Sequence, residues 1–170
     1  MNIVPNTTAQ AGGADRVPGP ERCPTSLEIA AILRHRYGLP VQLIAGRPMV
    51  TTGSILGAIV MPPELGRKVL ATLDRTHPAP VIVEPEECSW TFLVTPPIPA
   101  RPVELAVRRC LAGHQVTVVP GGRHIMLPTT AATPGWQWAG EPAPGALRMP
   151  PRAAVITAVH QVTTRQAVTR

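Results

Sequence analysis

Residues 56–73 read Leu56-Gly57-Ala58-Ile59-Val60-Met61-Pro62-Pro63-Glu64-Leu65-Gly66-Arg67-Lys68-Val69-Leu70-Ala71-Thr72-Leu73, and this stretch decides the fold class. An apolar run too short for a helix ends at paired prolines, which fit a helix start because the first N–H groups of a helix have no intrahelical partner. Glu64 then meets the positive end of the helix dipole, and Leu65, Val69, Leu70 and Leu73 recur at helical spacing. Downstream, Val81-Ile82-Val83 reads as a buried strand. Trp90, Phe92 and Val94 alternate in the next one, and Glu84-Pro85-Glu86-Glu87 forms a solvated turn between the two. The order is strand, helix, strand pair.

Working outward, residues 102–111 repeat the helical pattern with Val103, Ala106, Val107 and Cys110 inward, and Gly113 stops them. Residues 115–119 and 123–127 are strand-like arms around Pro120-Gly121-Gly122 and read as a hairpin. Trp136-Gln137-Trp138 suggests an edge strand, and Pro150-Pro151 opens a last helix carrying Val155, Ile156 and Val159. Upstream, Thr25 and Glu28 have the spacing of a capping box for a helix of about three turns that ends at Gly38 before Pro40. Residues 41–45 and 48–52 flank Gly46-Arg47 as a short hairpin.

These elements predict an α+β (mixed α/β) domain: a small mixed sheet of about six strands with three to four helices packed on it. At least two connections are too short for crossovers, which excludes a doubly wound parallel sheet. The expected organisation is a disordered tail over residues 1–24, one domain over 25–162 and a frayed end over 163–170.

Composition agrees with a folded chain. Its 170 residues are 44% hydrophobic and only 15% charged, and the 22 prolines concentrate in the N-terminal stretch and two long connections. The net charge is +6, with Lys68 the only lysine among 16 basic residues. A nucleic-acid partner explains this charge, and so does a G+C-rich genome that favours arginine codons. The three cysteines, Cys23, Cys88 and Cys110, have neither disulfide-framework nor zinc-ligand spacing, so reduced thiols are expected, with Cys88 at a strand start and Cys110 on an apolar helix face expected to be buried. No secretory leader or membrane-spanning run is legible, and a cytoplasmic location is the expectation.

Catalytic signatures are missing. Metal-assisted phosphoryl transfer needs clustered carboxylates; no D-x-D, D-x-E or E-x-D occurs here, and the one acidic concentration, Glu84-Pro85-Glu86-Glu87, sits in the turn between two strands. His35, His77, His114, His124 and His160 show no metal-binding spacing, and no nucleophile elbow surrounds Ser26, Ser54 or Ser89. No cofactor and no metal are expected. Pro120-Gly121-Gly122-Arg123-His124 is the most suggestive stretch: its glycines would let backbone amides approach a phosphate, and they equally suit a tight turn.

The order of residues 56–95, followed by Gly122-Arg123-His124-Ile125-Met126-Leu127-Pro128 and Gly135-Trp136-Gln137-Trp138, resembles the bifunctional primase-polymerase domain of the archaeo-eukaryotic primase superfamily. The resemblance covers about the last two thirds of the chain. It implies two metal-binding acids at Val60-Met61-Pro62 and a nucleotide-contacting histidine near Ser89-Trp90, and neither is present. What the resemblance implies is a reduced, non-catalytic relative retained for binding or regulation.

The expected interface is nucleic-acid-binding, formed by Arg67, Lys68, Arg108, Arg109, Arg123 and His124, if the helices carrying the first four lie on one sheet face. Its partner would be DNA or RNA, or a replication or regulatory assembly. The alternative is a protein-interaction module in which the proline-rich loops and the tryptophan pair meet a partner protein. A third possibility is an enzyme site assembled from distant residues such as Glu84, Glu104, His114 and His124.

Overall fold

The computed structural model describes residues 24–73, 78–129 and 135–168. The tail expected over residues 1–24 therefore lies, except for Pro24, outside the described residues, as do Cys23 and His77. The elements are α1 (Ser26–Tyr37), β1 (Val41–Ile44), β2 (Arg47–Thr51), β3 (Gly57–Met61), α2 (Pro63–Leu73), β4 (Val81–Val83), β5 (Trp90–Val94), α3 (Leu105–Gly113), β6 (Thr117–Val118), β7 (His124–Met126), β8 (Gln137–Gly140) and α4 (Arg152–Val168). A short 3-10 turn, Pro85–Glu87, joins β4 to β5.

The α+β class holds, with a correction to its sheet. Among the described residues the strands number eight and form two sheets, a three-stranded one in the order β1-β2-β7 and a five-stranded one in the order β6-β3-β5-β4-β8. Every ladder is antiparallel, so neither sheet is mixed. Residues 57–118 run β3-α2-β4-β5-α3-β6 with spatial order β6-β3-β5-β4, which is the split β-α-β arrangement of ferredoxin-like folds. In chain order of those four strands the sheet reads fourth, first, third, second.

Both faces of the five-stranded sheet are covered. On one, Ile59, Met61, Val81, Phe92 and Val94 pack against Leu65 and Val69 of α2, Leu111 of α3 and Val155 and Val159 of α4. On the other, Ala58, Ile82 and Leu93 pack against Ile29 and Leu33 of α1 and Val50 and Ile125 of the smaller sheet. This explains why β5 departs from simple alternation: all five of its residues are buried. Gly66 sets the approach of α2, since a Cβ there would meet Trp90 side-chain atoms at 2.9 Å.

The expected hairpin over residues 115–127 does not form. Its first arm, β6, pairs with β3, and its second, β7, pairs with β2 in the other sheet. Pro120-Gly121-Gly122 carries the chain between sheets, and Thr52 holds it there. The Thr52 hydroxyl, 3% exposed, lies 2.7 Å from Pro120 O, to which it donates, and accepts from Arg123 N–H at 2.9 Å.

Three smaller expectations also change. In α3 only Leu111 is buried; Ala106 and Cys110 are exposed and Val103 and Val107 half-buried, because α3 lies at the two-residue edge strand β6 with little sheet beneath it. Cys88 is exposed rather than buried, since it follows the 3-10 turn before β5 begins. The last helix continues past Thr163 to Val168.

The capping box at α1 is present: Glu28 N–H donates to Thr25 Oγ1 at 3.3 Å and Thr25 N–H to Glu28 Oε2 at 2.7 Å. These bonds, first from the Thr25 backbone and then from its hydroxyl, hold the Glu28 carboxyl below its usual value of 4.5. A carboxyl depressed in the folded state stabilises the fold above its unfolded pKa, and that contribution fades as pH falls through the folded value. Thr25→Ala should cost about 1 kcal/mol at neutral pH. In paired thermal melts the gap between parent and variant should narrow as pH falls and the Glu28 carboxylate takes up its proton.

Candidate anion-binding surface

The register of the large sheet separates acids from bases. Met61 pairs with Trp90 at one end and Gly57 with Val94 at the other. Beyond the first end lie Glu64, in the first turn of α2, and Glu84, Glu86 and Glu87 around the 3-10 turn. Beyond the second end, the loop 52–56, the segment 96–101, the crossover at Gly121 and the start of α4 come together.

Arg67 belongs to the acidic end. Its guanidinium lies 3.1 Å from Glu87 and 3.6 Å from Glu64, and stands 5.9 Å from the centre of the Trp90 ring. A cation so engaged has little charge left to offer a phosphate. Lys68, on the same helix, is exposed and makes no ion pair among the described residues. Ser89 Oγ and Trp90 Nε1, where the resemblance put a histidine, are buried without a hydrogen-bond partner.

Arg108 and Arg109 line a shallow pocket of about 300 Å³ at the β6 edge, together with Leu111, Val116, Thr117 and Val118. Val118 also lines a second pocket, of about 280 Å³, at the basic end, which Arg101 and Arg152 flank with Thr52, Ser54 and Gly121. No carboxylate lines either pocket among the described residues. Arg123 follows the same crossover, exposed, two residues beyond Gly121.

Arg152 is placed by backbone pairing. Thr95 N–H donates to Pro150 O and Arg152 N–H to Thr95 O, both at 2.9 Å, so the end of β5 anchors the start of α4. The half-buried Arg152 guanidinium donates to Arg101 O, which leaves most of its five donors unused. Its position opens α4, where the helix dipole opposes a cation.

The surface expected from sequence is thus divided. Although α2 and α3 lie on the same sheet face, neither pocket includes Arg67 or Lys68, and α4 contacts both helices. His124 is exposed at the end of the smaller sheet, its Nδ1 at 3.1 Å from Thr51 Oγ1. Arg101 and Arg152 were missed. The available signal was their position just after the proline runs 96–99 and 150–151, which fix irregular backbone beside helix starts.

The distant acids and histidines named from the sequence are not joined among the described residues. No hydrogen bond joins Glu84, Glu104, His114 or His124 to one another, and no three His, Cys, Asp or Glu residues are placed to hold a metal ion. Cys110 Sγ lies 3.8 Å from His160 Nδ1, a contact across 50 residues that local spacing does not signal. The Cys88 thiol is pushed up, first by lost solvation and then by its hydrogen bond to Glu84, which keeps it protonated and poorly nucleophilic. No described helix is long and apolar enough to cross a membrane.

On fold and surface, this is an α+β domain of split β-α-β topology with Arg101 and Arg152 at one end of its larger sheet and Arg108 and Arg109 at the β6 edge. No family model matches the chain, and no curated protein or solved structure does.

Proposed function

We propose that this chain is a non-catalytic, primase-polymerase-like domain that binds nucleic acid through phosphate contacts from Arg108, Arg109 and Arg123, joined by Arg101 and Arg152, in a cytoplasmic replication or regulatory assembly. The observation that carries this reading is the pair of adjoining arginine-lined pockets, sharing Val118, without a carboxylate in either lining among the described residues. Strand, helix and strand pair also stand in the order on which the resemblance rests.

The mode of binding is constrained by the sheet. Recognition motifs built on a four-stranded sheet stack bases on aromatics of its open face. Here that face presents Ala58, Ile82 and Leu93, none more than 1% exposed, beneath α1 and the smaller sheet. Base stacking on the sheet has no room, so contacts to the phosphate backbone dominate and affinity is salt-dependent.

The double variant R108A/R109A should weaken binding to a single-stranded oligonucleotide by roughly tenfold or more, since a hydrogen bond to a charged group is worth about 1.5–3 kcal/mol. It should also reduce the slope of log affinity against log salt by about 2. Arg67→Ala, which removes an arginine already paired with acids, should leave affinity within about twofold. Fluorescence anisotropy over a salt series measures all three. Undetectable or salt-insensitive binding sinks the reading.

A groove of about 300 Å³ between α1 and β8 favours the alternative, a protein-interaction module. Pro24, Tyr37, Pro128 and Trp138 line it beside Ile32, which is 47% exposed. Aromatic and proline walls of this kind suit an extended partner segment.

A further inference from the structure

We infer that the pocket at the basic end of the large sheet is a site for a single nucleotide unit, with its phosphate on Arg101 and Arg152 and its base against an apolar wall. The inference rests on the phosphate-binding reading above and adds a ligand class and a location to it. The location is opposite the end at Val60-Met61-Pro62 where the resemblance would have put metal-dependent chemistry.

Shape and chemistry point the same way. The cavity measures about 280 Å³, just below the roughly 300–1,000 Å³ typical of small-molecule sites, and so is sized for at most one nucleotide rather than a length of duplex. One wall is apolar, made by Ala58, Val94, Pro96, Pro97, Val118 and Val119. An inorganic anion would leave that wall in water, whereas a flat heterocycle would cover it.

The polar side is built for an anion. Arg152 is half-buried and steadied by Arg101 O, and no carboxylate joins the lining among the described residues. Ser54 supplies an exposed hydroxyl for a sugar or phosphate oxygen. Thr52 differs in role: its hydroxyl is committed to Pro120 O and Arg123 N–H, so it shapes the pocket rather than meeting the ligand. Arg101 and Arg152 both line a cavity with no carboxylate among its described lining, and guanidinium groups match phosphate oxygens in a bidentate fork.

The test uses the full chain and a fluorescent N-methylanthraniloyl nucleoside monophosphate, followed by anisotropy. Saturable binding is expected. Unlabelled nucleoside monophosphate should displace the probe at concentrations where neither inorganic phosphate nor the bare nucleoside does. Arg101→Ala, at an exposed position, should weaken the probe at least tenfold, and Arg67→Ala, whose guanidinium is paired with Glu64 and Glu87 at the other end of the sheet, should change it less than twofold. Arg152→Lys, which keeps the charge but loses the fork, should weaken it by an intermediate factor, with a circular dichroism melt confirming the fold.

Equal displacement by inorganic phosphate overturns the inference in favour of a simple anion site, and an unchanged affinity in Arg101→Ala overturns the location. Oligonucleotide binding that depends on Arg108 and Arg109, with no binding of the mononucleotide probe, overturns this inference and leaves the wider reading standing. Absence of binding to both overturns both.

Discussion

Replacing Phe92 with alanine should remove about 3–5 kcal/mol of folding stability, the range for truncating a fully buried aromatic. Phe92 lies in the middle of β5, the central strand of the five-stranded sheet, paired with Ile59 on one side and Val81 on the other, and is 0% exposed. Its ring sits in the cluster that α2 and α4 close from above, so no solvent route lets the structure relax into the space it vacates. Natural domains are stable by about 5–15 kcal/mol in total, so one such loss takes a large share. Urea denaturation should show a much lower midpoint with an unchanged slope. Ile55→Ala, at a position 68% exposed, is the companion variant and should stay within about 0.5 kcal/mol of the parent. Equal effects from the two would mean that the sheet is not packed as described.

The elements that sequence makes legible are those whose determinants are local. The box of Thr25 and Glu28 satisfies helix N–H groups within four residues, and the recurrence of Leu65, Val69 and Leu73 is a property of one helix. Pairing across long separations is different. Pro120-Gly121-Gly122 supplies turn residues whether the chain doubles back or passes from one sheet to another. The choice is made by β3 and β2, the pairing partners, more than fifty residues upstream. Alternation in β5 misleads for a related reason: its second face is buried only because a separate sheet, built from residues 41–51 and 124–126, lies over it.

The site was legible in part for the same physical reason. Arg108 and Arg109 are adjacent in sequence and remain together at the β6 edge. Spacing says nothing, however, about which cations meet acids, and Arg67 is bound to Glu87 only because α2 descends beside the turn that joins β4 to β5. Arg101 and Arg152 are 51 residues apart and are brought together where Thr95 pairs with Pro151. The result is a sheet whose ends carry opposite charge, a polarity that would orient a polyanion toward the arginine end before any specific contact forms.

Gly140→Ala should be the second most damaging substitution, at the upper part of the roughly 1–3 kcal/mol range for overpacking. Gly140 ends β8 opposite Val81, just where the register with β4 shifts between Val81 and Ile82. A methyl group there would fall inside the van der Waals shell of Ala79 O, with Leu70 Cδ1 at 3.5 Å behind it. The obstructing atom is backbone, and it cannot rotate aside as a side chain would, so β8 must draw away from β4. Trp138 moves with it, because it pairs with Ile82 on the same strand. Hydrogen exchange should therefore accelerate first at the β4 and β8 amides, while those of the β3 and β5 ladder keep their protection. Gly113→Ala is the comparison that isolates the cause. Nothing lies within 4 Å of a Cβ at that position, and its backbone is not left-handed. There the substitution should be neutral or stabilising by about 0.4–1 kcal/mol through the unfolded chain. If Gly140→Ala behaves like Gly113→Ala, β8 does not approach Ala79 as closely as its register with β4 requires.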